Sequence, residues 1–254
     1  MSQYHFGSGV LFGTPLTDAS GNAIANGTPV EFGALQDVSL DISFDTKMLY
    51  GPNQFPLDVA RGKGKISGKA AFARVNGTLW NSLVFGQTLS AGIVADVYDT
   101  TGEVIPTTPF QITPSVPNAG TWSATLSVNN ANGDPMQEVA SAPATGQFSV
   151  AGGVYTFAAA DVGLTVFINY QYTATSTTAR KSTVVNLPMG YAPTFQCDFM
   201  TTHSGKQLLI SLPKCISSKL SLATKLDDYM IPSFDFDAFA TPTGTVLTYS
   251  TTEA

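Results

Sequence analysis

The chain has 254 residues, a formal net charge of −6 and only 12% charged residues. Charged residues usually make up about a quarter of a soluble protein. Because this chain has about half that share, charge repulsion between its copies is weak, which suits a protein whose surface contacts partners. A pI near 4.7 and the lack of a basic patch argue against stable binding to nucleic acid. We find no basic secretory leader and no run of about 18 apolar residues, and therefore expect neither export by that route nor membrane insertion.

The first strong pattern is an alternation of apolar and polar residues from Leu35 to Asp45. A period of two predicts a half-buried β-strand, with one face in the core and the other in solvent. The apolar residues of this strand are Val38, Leu40, Ile42 and Phe44. The opposite face carries three carboxylates, those of Asp37, Asp41 and Asp45.

A second strand-like run extends from Lys63 to Arg74, and the two runs predict one long antiparallel hairpin. The connection between them, Thr46 to Gly62, has 17 residues, which is unusually long for a compact domain. It is also too apolar for a solvated loop, so we expect another surface to cover it. Its apolar residues are Met48, Leu49, Tyr50, Phe55, Leu57 and Val59.

One helix is predicted after the hairpin. Asn76 is a suitable N-cap, and Gly86 is a suitable stop. Between them, the apolar residues recur at helical spacing and share one face: Leu79, Trp80, Leu83 and Val84.

A change in charge marks a second domain. No Lys or Arg occurs between Arg74 and Arg180, although six acidic residues do. Short β-rich runs separated by Gly and Asn turns predict a β-sandwich there. We therefore assign residues 88–180 to an inserted domain and residues 1–86 and 181–254 to a core domain built from both ends of the chain. After the insertion, alternating residues around Phe195 and Phe234 predict further strands, so the predicted fold is all-β.

The sequence offers little for catalysis, and we predict that the protein is not an enzyme and binds no metal or cofactor. The two histidines, His5 and His203, are too few for a metal triad or a persuasive nucleophile and base pair. The glycine-rich run from Gly62 to Gly68 matches no phosphate-binding motif and lies in a strand pattern. Cys197 and Cys215 lack CxxC spacing and suit reduced structural cysteines, with a disulfide or redox role as the alternative.

Three stretches of the sequence carry a resemblance to a known family. They are DTKMLYGPNQFPLDVARGKGKISGKAAFA, GQFSVAGGVYTFAAADVGLTVFINYQYTA and IPSFDFDAFATPTGTVLTYS, from the first, middle and last thirds of the chain. Together they resemble the tail tube (major tail) proteins of tailed bacteriophages. The resemblance implies a β-sandwich or barrel core with one helix and a long hairpin loop. We expect the insertion inferred above to be an immunoglobulin-like β-sandwich on the exterior of the tube.

The resemblance also implies a function, which is to form hexameric rings that stack into the tube through which DNA leaves the virion. The loop residues listed above would then form the subunit interface. Expected partners are other copies of the chain, other tail proteins and DNA in transit, without specific binding. We expect assembly in the cytoplasm of the bacterial host, location in the virion tail, and a long non-contractile tail, because a projecting insertion would obstruct a sheath.

Two questions stay open from the sequence. The face with Asp37, Asp41 and Asp45 is either a plain solvent face or the lumen of the tube, and in a hairpin three lysines could share it: Lys63, Lys65 and Lys69. The alternative function is a β-sandwich adhesin or carbohydrate-binding module, with an aromatic platform in the insertion. Its residues would be Trp122, Tyr155, Tyr170 and Tyr172.

Overall fold

A computed structural model describes residues 4–74 and 76–252. It contains 51% strand and 6% helix, which confirms the all-β prediction with one short helix. The strands in chain order are β1 (Val10–Pro15), β2 (Val30–Glu31), β3 (Leu35–Tyr50), β4 (Pro56–Phe72), β5 (Ser90–Ala91), β6 (Ile93–Val97), β7 (Glu103–Val104), β8 (Gln111–Ile112), β9 (Thr121–Asn130), β10 (Gln137–Glu138), β11 (Gln147–Ala151), β12 (Val154–Phe157), β13 (Thr165–Ala174), β14 (Arg180–Lys181), β15 (Thr194–His203), β16 (Lys206–Ser221), β17 (Ser233–Ala238) and β18 (Thr248–Thr251). The helical segments are α1 (Gly77–Trp80), a π-helical turn (Asn81–Phe85) and two 3-10 turns (Pro117–Ala119 and Ala159–Asp161).

The chain divides into two compact units. The first contains the described residues up to Leu89 and those from Ser182 onward, and the second is Ser90–Lys181. The inserted domain expected at residues 88–180 therefore has a structural counterpart with nearly the same bounds. In the second unit, β5 pairs with β14, with Ser90 opposite Lys181, so the two ends of this unit lie side by side.

The first unit is built on one eight-stranded sheet. The strand order is β2-β1-β15-β16-β17-β4-β3, and β18 also pairs with β16. Leu11 of β1 and Leu40 of β3 line the same apolar cavity of about 140 Å³, although four strands separate them in the sheet. The sheet is therefore strongly curved, but it does not close into a barrel.

Aromatic side chains fill the concave side of this sheet. Alternation along β17 buries Phe234 and Phe236 and leaves the intervening aspartates on the other face. Their rings pack with those of Phe32 and Phe195, and Phe32 packs in turn on Phe72, at centroid separations between 5.4 and 6.1 Å. These residues form the core of the first unit.

The predicted helix forms with the expected cap and stop residues, and its second turn is π-helical. The side chain of Asn76 accepts hydrogen bonds from the backbone N–H groups of Thr78 and Leu79, at 3.1 and 3.2 Å. The helix continues as a π-helical turn and ends at Gly86, whose φ of 59° suits a residue without a Cβ. Leu79 and Leu83 are fully buried in the core.

The glycine-rich run that superficially resembles a phosphate loop lies within strand β4. A Cβ at Gly68 would collide with the ring of Phe236, and one at Gly64 would come within 2.9 Å of the ring of Phe44. These glycines therefore allow aromatic rings to lie against the backbone of β4, as glycines inside strands often do.

The second unit is a two-layer β-sandwich. One sheet has the order β10-β11-β12-β8, and the other has β6-β13 with β7 and β9 also paired to β13. Side chains from both sheets meet in one core, including Phe148 and Tyr155 from the first sheet and Val166 and Ile168 from the second. This packing explains why the sequence shows short alternating runs there.

Candidate assembly surface

The prediction of a loop from Thr46 to Gly62 is wrong, because most of this segment continues the two strands. Strand β3 runs to Tyr50 and β4 starts at Pro56, so that only residues 51–55 form the turn. Met48 pairs with Val59 across the hairpin. Of the six apolar residues expected in a loop, Phe55 alone lies in the turn, and the other five belong to strands: Met48, Leu49, Tyr50, Leu57 and Val59.

The outer part of this hairpin is a ribbon of two strands with no further support in the described structure. Strand β17 pairs only with residues 66–71 of β4, and residues 56–65 of β4 pair with β3 alone. Ten residues in a strand span roughly 33 Å. We call this part, residues 41–65, the ribbon. Residues 41–50 and 57–65 are all exposed, and isolated two-stranded ribbons are marginally stable in water.

One face of the ribbon is apolar. Paired residues of an antiparallel ladder share a face, so the register brings Ile42 together with Ile66, and Met48 together with Val59. The guanidinium of Arg61 lies 4.1 Å from the ring centroid of Phe44 on this face. Leu49, which pairs with Asp58, lies on the opposite face with Lys47. The six predicted interface residues are nevertheless all exposed: Met48 (52%), Leu49 (62%), Tyr50 (58%), Phe55 (80%), Leu57 (67%) and Val59 (53%).

The sequence did not reveal that Ile42 and Phe44 also belong to this exposed surface. We predicted both for a buried face, but they are 50% and 47% exposed, so the expected half-buried strand extends only to Leu40. The cause is the strand order, because no described strand covers the ribbon beyond Ile66 of β4. Strand β3 is also the edge of its sheet, which leaves backbone N–H and C=O groups free to pair with another strand.

The opposite face of the hairpin is polar and carries charges of both signs. Ser39 pairs with Lys69 and Ser43 with Lys65, so both lysines share the face of the predicted aspartates, Asp37, Asp41 and Asp45. Lys63 and Gly62 lie opposite Asp45 at a β-bulge.

Neighbouring strands add charges to this face that the sequence did not assign to it. The two aspartates of β17 lie opposite Ser67 and Lys69 of β4, and Asp237 forms a 3.3 Å ion pair with Lys65. Lys219 of β16 lies opposite Asp235. The alternation of Phe234 and Phe236 with two aspartates pointed to a strand, but the neighbours of that strand are far away in sequence. We call this surface the polar face; its charged residues are Asp37, Asp41, Asp45, Lys47, Asp58, Lys63, Lys65, Lys69, Lys219, Asp235 and Asp237.

The aromatic platform expected for a carbohydrate-binding module is wrong. Tyr155, Tyr170 and Tyr172 are 0%, 2% and 5% exposed and belong to the core of the sandwich. Trp122 packs against the same core, and its indole N–H donates a 3.1 Å hydrogen bond to the hydroxyl of Tyr155. The three tyrosine rings therefore stabilise the sandwich and offer no surface to a ligand, so half-buried Trp122 has no aromatic platform beside it.

The remaining reactive groups are buried or scattered. Cys197 and Cys215 are free and buried, and burial raises the pKa of both thiols, to about 12 for Cys215. Such thiols are poor nucleophiles because little thiolate is present. Within residues 4–74 and 76–252, no group of three or more His, Cys, Asp or Glu side chains is arranged to hold a metal ion.

No protein-family model matches the sequence, and no curated protein is significantly similar to it. Among the described residues, no helix has the length and apolar character needed to cross a bilayer.

Proposed function

We propose that this protein is a structural subunit that assembles with copies of itself into hexameric rings, which stack into a phage tail tube. The observation that carries the proposal is the ribbon, an apolar and unsupported two-stranded extension of the core sheet. The resemblance of three sequence stretches to tail tube proteins supports the same proposal. In this function the DNA passes through the tube without specific binding, and other tail proteins contact its ends.

The energetics of the ribbon support an interface between subunits. Full burial of a Leu, Met or Phe side chain contributes about 1.5 to 3 kcal/mol. The six predicted interface side chains are each 52% to 80% exposed, so most of this free energy is still available in the monomer. A single exposed hydrophobic residue needs no explanation, but a continuous apolar surface indicates a binding site. Self-assembly covers this surface on every copy.

The polar face suits the lumen of such a tube better than a DNA-binding surface. Lysines bind DNA mainly by displacing counterions from phosphates, and each neutralised phosphate adds affinity. Here the lysines lie beside aspartates, as Lys65 does beside Asp237. The face carries six aspartates and five lysines, a net charge of −1. A wall of this kind would let DNA slide.

Electron microscopy of the purified chain over a range of concentrations tests the proposal. We expect rings or hollow tubes above a threshold concentration, and a monomer in sedimentation velocity below it. In a shortened variant, Asn-Gly replaces residues 43–65 and joins Ile42 to Ile66, which are already directly paired. We expect this variant to remain a monomer with an intact core, which its thermal unfolding would verify.

A matched variant keeps the apolar face and changes only the polar side of the ribbon. Lys47 pairs with Ala60 on the polar side, so Lys47→Ser should assemble as the unmodified chain does. The proposal fails if the unmodified chain stays monomeric at hundreds of micromolar. It also fails if the shortened variant still builds normal tubes.

A further inference from the structure

The sandwich of residues 90–181 has an open end with an exposed tyrosine between two clefts. Tyr98 is 81% exposed. The structure describes every residue of the sandwich, and no other aromatic residue in it is as exposed. It follows β6 and lines both clefts, whose volumes are about 350 and 430 Å³. Clefts of this size are typical of small-ligand sites.

Polar side chains around Tyr98 are held in fixed positions. The carboxylate of Asp99 accepts hydrogen bonds from the backbone N–H groups of Thr101 and Gly102, both at 2.9 Å, and of Ile168 at 3.2 Å. The side chain of Asn169 accepts a 2.8 Å hydrogen bond from the N–H of Asp99 and donates one to a serine hydroxyl. These contacts lower the entropy lost when a ligand binds.

The second cleft contains a carboxylate that is available to a ligand. Glu103 lines it together with Tyr98, Asp99 and Ser115. Burial and the charge of Asp99 raise the pKa of Glu103 above its usual value. Hydrogen bonds from hydroxyl groups would stabilise the charged form of this carboxylate without bringing a second charge into the cleft.

The chemistry of the clefts restricts the ligand class. The face of an aromatic ring is electron-rich and packs well on polarised C–H groups, such as those on one side of a sugar ring. Carboxylate and amide oxygens next to it accept hydrogen bonds from hydroxyl groups. Asp99 and Glu103 would repel anions, and no lysine or arginine lines either cleft. A ligand with many hydroxyl groups and no negative charge fits these conditions.

We propose that the end of the sandwich around Tyr98 is a binding site for neutral oligosaccharides, with Tyr98 as the stacking surface and Glu103 as a hydroxyl acceptor. This site is distinct from the buried aromatic residues considered from the sequence. It does not depend on tube assembly, because all its residues belong to the sandwich. The affinity expected of one aromatic ring and a few hydrogen bonds is weak, so the assay must detect millimolar binding.

Saturation-transfer NMR on the full chain tests this site. The probes are maltohexaose, laminarihexaose and N-acetylchitohexaose, with polygalacturonate and polysialic acid as anionic comparisons. We expect signal from at least one neutral probe and none from the anionic ones. Tyr98→Ala should weaken binding by about tenfold or more, and Glu103→Ala by a similar factor.

Tyr229→Ala is the matched control, because Tyr229 is 87% exposed and lies outside the sandwich. It should leave saccharide binding unchanged. Thermal unfolding would verify that Tyr98→Ala retains its fold, as expected for so exposed a side chain. The proposal is overturned if no neutral probe binds, if Tyr98→Ala binds as well as the unmodified chain, or if the anionic probes bind more tightly.

Discussion

Phe55 at the tip of the ribbon offers the sharpest single-residue test of assembly. Its side chain is 80% exposed, so Phe55→Ser removes little from the monomer, and the free energy of unfolding should change by no more than about 0.5 kcal/mol. In an assembly that covers the tip, the same change loses most of the 1.5 to 3 kcal/mol of a buried aromatic side chain. We therefore expect a loss of about 1 to 2.5 kcal/mol per subunit contact.

This loss translates into a threshold concentration that sedimentation can measure. A difference of 1.4 kcal/mol corresponds to tenfold, so the critical concentration for assembly should rise by about fivefold to sixtyfold. The assay pellets assembled protein over a concentration series and measures the monomer that remains in the supernatant. Thermal unfolding below the threshold measures the stability of the monomer separately.

Leu226 provides the control for this measurement. It is 98% exposed in a turn outside the ribbon, so Leu226→Ser makes the surface more polar without touching the proposed interface. We expect its critical concentration to stay within about twofold of that of the unmodified chain, a range set by surface substitutions of roughly 0.5 kcal/mol. If Phe55→Ser behaved like Leu226→Ser, or lowered monomer stability by several kcal/mol, the interface argument would be refuted.

Three further predictions concern the sandwich and the polar face. Removal of Ser90–Lys181, with a short Gly-Ser linker in its place, should leave a chain that still forms tubes in electron micrographs, because the ends of this unit lie side by side; loss of a folded core would contradict this. Asp37→Lys with Asp41→Lys should leave tubes intact but raise the net charge of each six-subunit ring by about 24 units, slowing DNA release at low salt. Normal release at low salt would place these residues away from the DNA path. Burial raises the pKa of Asp99, but hydrogen bonds from Gly102, Thr101 and Ile168 outweigh it, so its pKa is lowered overall. The charged Asp99 carboxylate therefore stabilises the fold above its unfolded-state pKa, and this stabilisation is lost as pH falls through its folded-state pKa. Asp99→Asn should lower the melting temperature clearly at pH 7 and much less near pH 2. Equal effects at the two pH values would contradict this.

Local patterns were sufficient to predict several elements. The alternation from Leu35 predicted β3, and the cap and stop residues Asn76 and Gly86 predicted the helix, because these signals act within a few residues. The missing basic residues pointed to the insertion, since a change in composition needs no knowledge of contacts. Each of these features is encoded in neighbouring residues of the chain.

The outer ribbon was harder to predict because its pattern is interrupted. Two β-bulges in β4, near Gly62 and at Leu57, each add one residue and shift the alternation between the two faces. Exposure on both faces also removes the contrast between buried and solvated positions that a period of two normally shows. The sequence of these two strands therefore lacks a clear period of two, and we predicted a loop in their place.

The aromatic residues of the sandwich were misassigned for a different reason. Both register shifts between β13 and β9 lie in β9, and β13 alternates regularly, with Val166, Ile168, Tyr170 and Tyr172 all buried. Alternation places these side chains on one face, but the sequence does not show whether a second sheet covers that face. Long-range pairing decided the polar face as well, since Asp235 and Lys69 become neighbours only when β17 pairs with β4.

In the proposed tube, the two faces of the hairpin have different functions. Successive side chains of a strand point to opposite sides, so one pair of strands can present an apolar surface to a neighbouring subunit and a charged surface to the lumen. Substitutions at Phe44 or Met48 should then change the critical concentration without affecting DNA release. Substitutions at Asp41 or Lys65 should change DNA release and its salt dependence without affecting assembly. If substitutions on either face altered both properties together, the hairpin would have to contact DNA and neighbouring subunits with the same side chains, and the proposed arrangement of the tube wall would be wrong.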